Sequence, residues 1–352
     1  MAPARPLAAL LAGLLALASA EGSCPEGLPD GSCAEEEEEA AEATISLLQT
    51  QLHLRPSAPR AGAPAPAAQG QRDLAFVHMP FNFGHTVEKV AAFGSGGGTM
   101  EDFQRLLKVY GDFSGQKPPQ GKSEELPPLP GGIAWGHINP MLQEVSNVTG
   151  CPMYYTPQKY WPSGLAERYF GSGNKIFGML RDPYERLVAF FRGNMPEYGA
   201  SYPEFFRTCD VNSAVKAMMK TYLAGGSEFA NSCSFVPQAE YFDGPHGISL
   251  PVDNRHFPSS MNAVFREHGY NLTIQAEDIF HVEGCAEVWA GDLDLEARAM
   301  VRQVYRRDFE LLCRHFGYCD EDEDTCIWQV PRMCPQKILA SGYRGGHRGH
   351  GA

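Results

Sequence analysis

The stretch Leu74–Val90, LAFVHMPFNFGHTVEKV, decides how the rest of the chain is read. It opens with an apolar run, Leu74 to Val77, about the length of one buried strand. Pro80 to Gly84 turn the chain, and from Thr86 the spacing becomes helical, with Val87, Val90 and Ala91 on one face. A strand, a tight turn and a helix start leave backbone N–H groups at the turn where an anion can sit. Alone, the segment describes any first β-α unit of an α/β domain.

A second stretch narrows the reading. Lys175–Gly193 reads KIFGMLRDPYERLVAFFRG. Ile176 to Leu180 forms another apolar strand, and Arg181 stands at its C-terminal end. Asp182 suits the N-cap, Pro183 the first helical position, and Glu185 completes a capping-box-like pattern. Leu187, Val188, Phe190 and Phe191 give the helix a broad apolar face. A guanidinium at a strand end beside a helix start can clamp phosphate through paired hydrogen bonds.

HMPFNFGHT followed by LRDPYERLVAFF resembles the paired nucleotide-binding signatures of sulfotransferases that use 3′-phosphoadenosine 5′-phosphosulfate (PAPS), most closely the Golgi carbohydrate, heparan-sulfate-like type. PQAEYF (Pro237 to Phe242) and YRRDFELLCRHFGY extend the resemblance over about Asp73 to Tyr318. In that family the first loop reads roughly His-x-Pro-Lys-Thr-Gly-Gly-Thr and grips the 5′-phosphosulfate. The Arg-Asp-Pro segment grips the 3′-phosphate, with a Ser eight positions after the Arg. The resemblance implies a three-layer P-loop-like α/β fold around a largely parallel sheet. It also implies Pro80, Gly84, His85, Thr86 and Arg181 as cofactor-binding positions, PAPS as donor with PAP as product, and no metal.

His78, Pro80, Gly84, Thr86 and Arg181 match the pattern; Phe81 stands where the family has Lys, and Ala189 where it has Ser. Asn82 and Phe83 also depart, and His85 replaces a small residue. Phe81 neither donates a hydrogen bond nor carries charge, whereas sulfuryl transfer needs charge relief on the leaving phosphate. His85 and Lys89, on the following helix, are the candidates to substitute. In IAWGHINPMLQEV, Ile133 to Gly136 reads as a short strand ending at His137, where carbohydrate sulfotransferases place an acceptor-side base. An imidazole there would take the acceptor hydroxyl proton; a histidine hydrogen-bonded to backbone fits the same pattern.

The formal net charge is −13 over 352 residues. Residues 73–318 hold 21 Lys and Arg against 28 Asp and Glu, and much of the remaining acidity lies in Glu35–Glu39 and Asp320–Asp324. An acidic chain argues against nucleic acid as partner. Residues 1–20 read as a signal peptide, with Arg5, a leucine-rich run and Ala18-Ser19-Ala20 as cleavage site; a short type II anchor is the competing reading, and the only route to a membrane. Ten cysteines behind an export signal point to an oxidising compartment, the Golgi lumen or outside the cell. Asn147-Val148-Thr149 and Asn271-Leu272-Thr273 are glycosylation acceptors.

Residues 21–72, with Cys24, Cys33 and an Ala/Pro-rich spacer, read as a stalk or linker. Residues 73–318 form the sulfotransferase-like domain, and 319–352 an acidic, Cys-containing tail ending in Gly, His and Arg. Glu101–Tyr110, Val211–Leu223, Ser260–His268 and Asp294–Phe316 are expected helices, Met218 and Met219 core, and Gly111–Gly132 a loop. Ile274–Val282 reads as the last strand or its approach. Tyr154, Tyr155, Tyr160 and Trp161 suit either a sugar site or loop packing. Two functions follow. One is transfer of a sulfuryl group from PAPS to a carbohydrate hydroxyl, with His137 catalytic and a glycan acceptor. The other is an inactive secreted binding protein that keeps the fold.

Overall fold

The hydrophobic runs form a three-stranded parallel sheet in the computed structural model, which describes residues 73–110, 129, 131–171, 173–193, 202–226, 228–280 and 284–342. Strand β1 (Leu74–Phe76) pairs with β2 (Lys175–Leu180), and β2 with β3 (Leu250–Asp253). The register places Phe76 opposite Phe177, and Gly178 opposite Pro251. The signal peptide, the stalk with Cys24 and Cys33, most of the Gly111–Gly132 loop and the tail beyond Gly342 lie outside the described residues.

Alternation along the strands sends side chains to two buried faces. Leu74, Phe76, Phe177 and Met179 pack with Val87 and Val90 of α1 (Gly84–Phe93), and with Met261 and Phe265 of a later helix, Ser259–Glu267. Ala75, Val77 and Ile176 pack on the other face with Met153, Tyr154 and Phe170, the last from the helix Ser163–Phe170. The main helices are, besides α1, α2 (Met100–Tyr110), α3 (Ser163–Phe170), α4 (Pro183–Arg192), α5 (Pro203–Thr208), α6 (Val211–Leu223), α7 (Ser259–Glu267), α8 (Leu295–Phe316) and α9 (Gln336–Ala340).

Capping follows the sequence. Asp182 accepts from the N–H groups of Tyr184 and Glu185 at the start of α4, with Pro183 in the first turn. Asp294 caps α8, and Gly317, at φ 77°, ends it in the left-handed region that glycine adopts without a Cβ clash. Helices α4, α6 and α8 bury Leu187, Phe191, Val215, Met218, Met219, Val301 and Phe309 together as a second core beside the sheet.

Two expectations need correction. Ile133–Gly136 joins no sheet; it is extended chain leading into a 3₁₀ turn at Gly136–Ile138 that carries His137. Residues 274–280 are irregular apart from a 3₁₀ turn at Ala276–Asp278. The third strand is instead Leu250–Asp253, whose Pro251 removes a ladder donor and so disguises it. Among the described strands it lies at the sheet edge, where a missing N–H is tolerated.

The eight described cysteines pair as Cys151–Cys233, Cys209–Cys285, Cys313–Cys319 and Cys326–Cys334, which suits an oxidising compartment. Asn147 and Asn271 are exposed. No described helix is long and apolar enough to cross a membrane. Cys151–Cys233 joins positions 82 residues apart, so it removes considerable freedom from the unfolded chain. Replacing both by Ala should cost about 4 kcal/mol, read as a lower urea midpoint; an unchanged midpoint would contradict the pairing.

Candidate functional site

The loop from His78 to Gly84 leaves the C-terminal end of β1 and is shaped by aromatic packing. Phe81 and Phe83 both have left-handed backbone, at φ 64° and 59°. A bulky residue adopts that region only when its surroundings compensate. Phe83 stacks on Phe257 with ring centroids 4.5 Å apart, and Phe81 meets Phe190 edge-on at 5.0 Å. Arg186, buried on α4, donates to the carbonyls of Pro80, Ser234 and Val236. Asn82 donates to the Met179 carbonyl and to Gln238 Oε1, both at 2.6 Å. Pro80 thus contributes its carbonyl to holding the loop.

Position 84, the first of α1, has no room for a side chain because the His78 ring lies on it. A Cβ at Gly84 would stand 2.2 Å from His78 Nε2. Thr86 is buried, and its hydroxyl accepts from the Phe280 N–H at 3.2 Å. Lys89, one of the two candidates to stand in for a loop lysine, is committed to a buried ion pair with Asp278 at 2.9 Å.

Glu88, one turn into α1, is fully buried. His78 Nδ1 lies 2.6 Å from its Oε1, His85 Nδ1 lies 3.0 Å from its Oε2, and the His137 backbone N–H donates to Oε1 at 2.8 Å. Burial pushes the Glu88 carboxyl up, but His78 and His85 outweigh it and hold the group well below the usual carboxylate range. Burial likewise holds His78 below the usual imidazole value, so its Nδ1–H donates to an ionised Glu88. His85 Nε2 lies 3.0 Å from the Tyr155 hydroxyl. The His137 ring is buried flat on Tyr154, centroids 4.4 Å apart, and 5.8 Å from the His85 ring. Tyr154 and Tyr155 thus line this cluster, whereas Tyr160 and Trp161 pack on neighbouring aromatics.

Arg181 closes the other side of the loop. It is buried, donates to the Phe81 carbonyl at 2.7 Å and lies over the Phe83 ring at 5.1 Å. Its Nε has no hydrogen-bond partner among the described residues and stands 3.8 Å from Glu185 Oε2. Burial lowers the Arg181 guanidinium to about 10 and raises Glu185 to about 7. Gln238, in the PQAEYF segment, accepts from the Arg181 N–H and donates to its carbonyl. Asp308, buried on α8, accepts from the N–H groups of Gln238 and Ala239 and from Gln238 Nε2.

The positions singled out from the sequence fall into two groups on either side of the loop: His85 and His137 gather at Glu88, and Arg181 ties to Phe81. Sequence reasoning missed Glu88, Arg186 and Asp308, which look like solvated helix charges, and gave Gln238 no role. The signal for Glu88 lay in its spacing, three residues after His85 and so on the same helical face.

Glu185 gives this region a pH dependence. Its carboxyl has an unfolded value of 4.5 and a folded value of about 7. The folded state therefore holds the proton more tightly, and that stabilisation is present below about pH 4.5 and lost as pH rises through about 7. Glu185→Gln should melt several degrees above wild type at pH 8 and lose most of that gain by pH 4.5; equal melting shifts at both pH values would contradict the assignment. No protein-family model matches the chain, and no curated protein and no solved structure matches it either.

Proposed function

We propose that the protein is a PAPS-dependent sulfotransferase of the secretory pathway, lumenal or secreted, that transfers a sulfuryl group to a carbohydrate hydroxyl. The observation that carries the reading is convergence. The loop, His137 and Arg181 come from three distant segments, yet Arg181 touches Phe81 and the His137 backbone touches Glu88. Parallel α/β sheets bind ligands beyond the carboxyl ends of their strands, where these residues lie. The Arg181 Nε, buried without a hydrogen-bond partner among the described residues, is a donor that a phosphate oxygen would satisfy.

In this reading the acceptor oxygen attacks sulfur in line, the bond from sulfur to the 5′-phosphate oxygen breaks, and PAP departs. His137 takes the hydroxyl proton. Its ring is buried on Tyr154, so it reaches an acceptor by turning off that ring. Arg181 and the loop hold the donor, with Pro80, Gly84 and Thr86 fixing the loop and the start of α1.

Phe81 and Arg181 favour a second reading, a protein that keeps the fold without the reaction and binds PAP, a sulfated glycan or a protein. Phe81 packs on Phe190, and Arg181 is already tied to the loop carbonyl. Both readings allow PAP to bind and only the enzyme transfers, so calorimetry of the full chain with PAP and a sulfuryl-transfer assay together separate the two. The enzyme reading expects micromolar binding, kept in His137→Ala and lost in Arg181→Ala. Sulfuryl transfer to a glycan panel should fall about a hundredfold or more in His137→Ala. No heat from folded wild-type protein would remove the enzyme reading and leave the second.

A further inference from the structure

Three ligand atoms meet where the loop joins α1. His78, His85 and Glu88 each offer one nitrogen or oxygen, and these atoms all lie within 4.8 Å of one another. We propose that His78, His85 and Glu88 form a binding site for a divalent transition-metal ion, best matched by zinc.

Zinc bonds of about 2.0–2.2 Å to histidine and carboxylate, arranged tetrahedrally, place ligand atoms roughly 3.5 Å apart. The separations of 2.6 Å and 3.0 Å about Glu88 need only a small opening to admit the ion. Two histidines and one carboxylate, with a fourth position left over, form a donor set used by catalytic zinc. The backbone supports the arrangement. His85 and Glu88 stand three residues apart on one face of α1, and His78 is held over Gly84, where no Cβ interferes.

The surrounding hydrogen bonds fit metal ligands. The His137 N–H occupies Glu88 Oε1, leaving Oε2 on the His85 side. With Nδ1 of His85 on the metal, the ring proton sits on Nε2 and donates to the Tyr155 hydroxyl, 3.0 Å away. Access is provided by His85, whose side chain is 24 % exposed. Among the described residues no Lys or Arg pairs with Glu88, and Lys89 next to it is committed to Asp278. An ion bound here displaces the His78 Nδ1 proton, and its own charge then meets the buried carboxylate.

Metal binding stands apart from the sulfuryl-transfer reading. Where both hold, the ion contributes positive charge beside the loop in which Phe81 has replaced a lysine.

The test uses the full chain carrying His347→Asn and His350→Asn, so that tail histidines do not contribute. The protein is stripped with a chelator, titrated with cobalt(II) and then competed with zinc. The proposal expects one cobalt per chain, a visible absorption band of tetrahedral intensity, and its loss on adding zinc. His85→Ala, at a partly exposed position, should weaken binding at least about a hundredfold; if that variant does not fold, His85→Asn serves the same comparison. Absence of stoichiometric binding, or binding unchanged by the His85 substitution, overturns the site. PAP calorimetry on the stripped protein is read separately, so a failed cofactor site and a failed metal site give different results.

Discussion

The burial of the Glu88 carboxylate constrains everything around it. A charge in that position must be met by hydrogen bonds or by an opposite charge. Here the partners come from the strand end, from its own helix turn and from a third segment: His78, His85 and the His137 N–H. Each partner fixes a piece of backbone. His78 sets the exit of β1 and makes residue 84 a glycine. The His137 N–H ties the 133–138 segment to α1. Tyr154 and Tyr155 complete the arrangement through ring stacking and a hydrogen bond.

The loop is the second consequence. It carries two left-handed phenylalanines, a conformation costing on the order of 1 kcal/mol or more at each. Aromatic contacts to Phe190 and Phe257 and the carbonyl contacts of Arg186 and Arg181 offset that cost. Gln238 and Asp308 extend the network from the loop to α8, so the loop is built as a rigid element. In this chain the part of the loop that resembles a phosphate grip is shaped by packing, with the Arg181 guanidinium on one side and the Glu88 carboxylate with its histidines on the other.

Much of this was legible in the sequence. The two apolar runs and the Asp182-Pro183 start defined β1, β2 and α4 because burial, N-capping and the fixed φ of proline act locally. The long α8 was visible from its apolar stripe and from Gly317. The third strand was hidden, since Pro251 is read locally as a strand breaker and only the edge position excuses it. Glu88, Arg186 and Asp308 were hidden for another reason. A charged residue on a helix reads as solvated unless the distant carbonyls or N–H groups that receive it are known; for Arg186 these lie at Pro80, Ser234 and Val236. His85, His137 and Arg181 were found from their chemistry and place in the pattern, but not the carboxylate joining two of them.

The central claim is that the 78–88 loop and helix start, the 134–138 turn and the 180–186 strand end make one ligand site. Hydrogen exchange of the full chain with and without PAP, followed by peptide mass spectrometry, tests it most directly. The account predicts that added PAP slows exchange in all three segments together and leaves α6 and α7 unchanged. Protection confined to other segments, or none at saturating PAP in a folded sample, would contradict it.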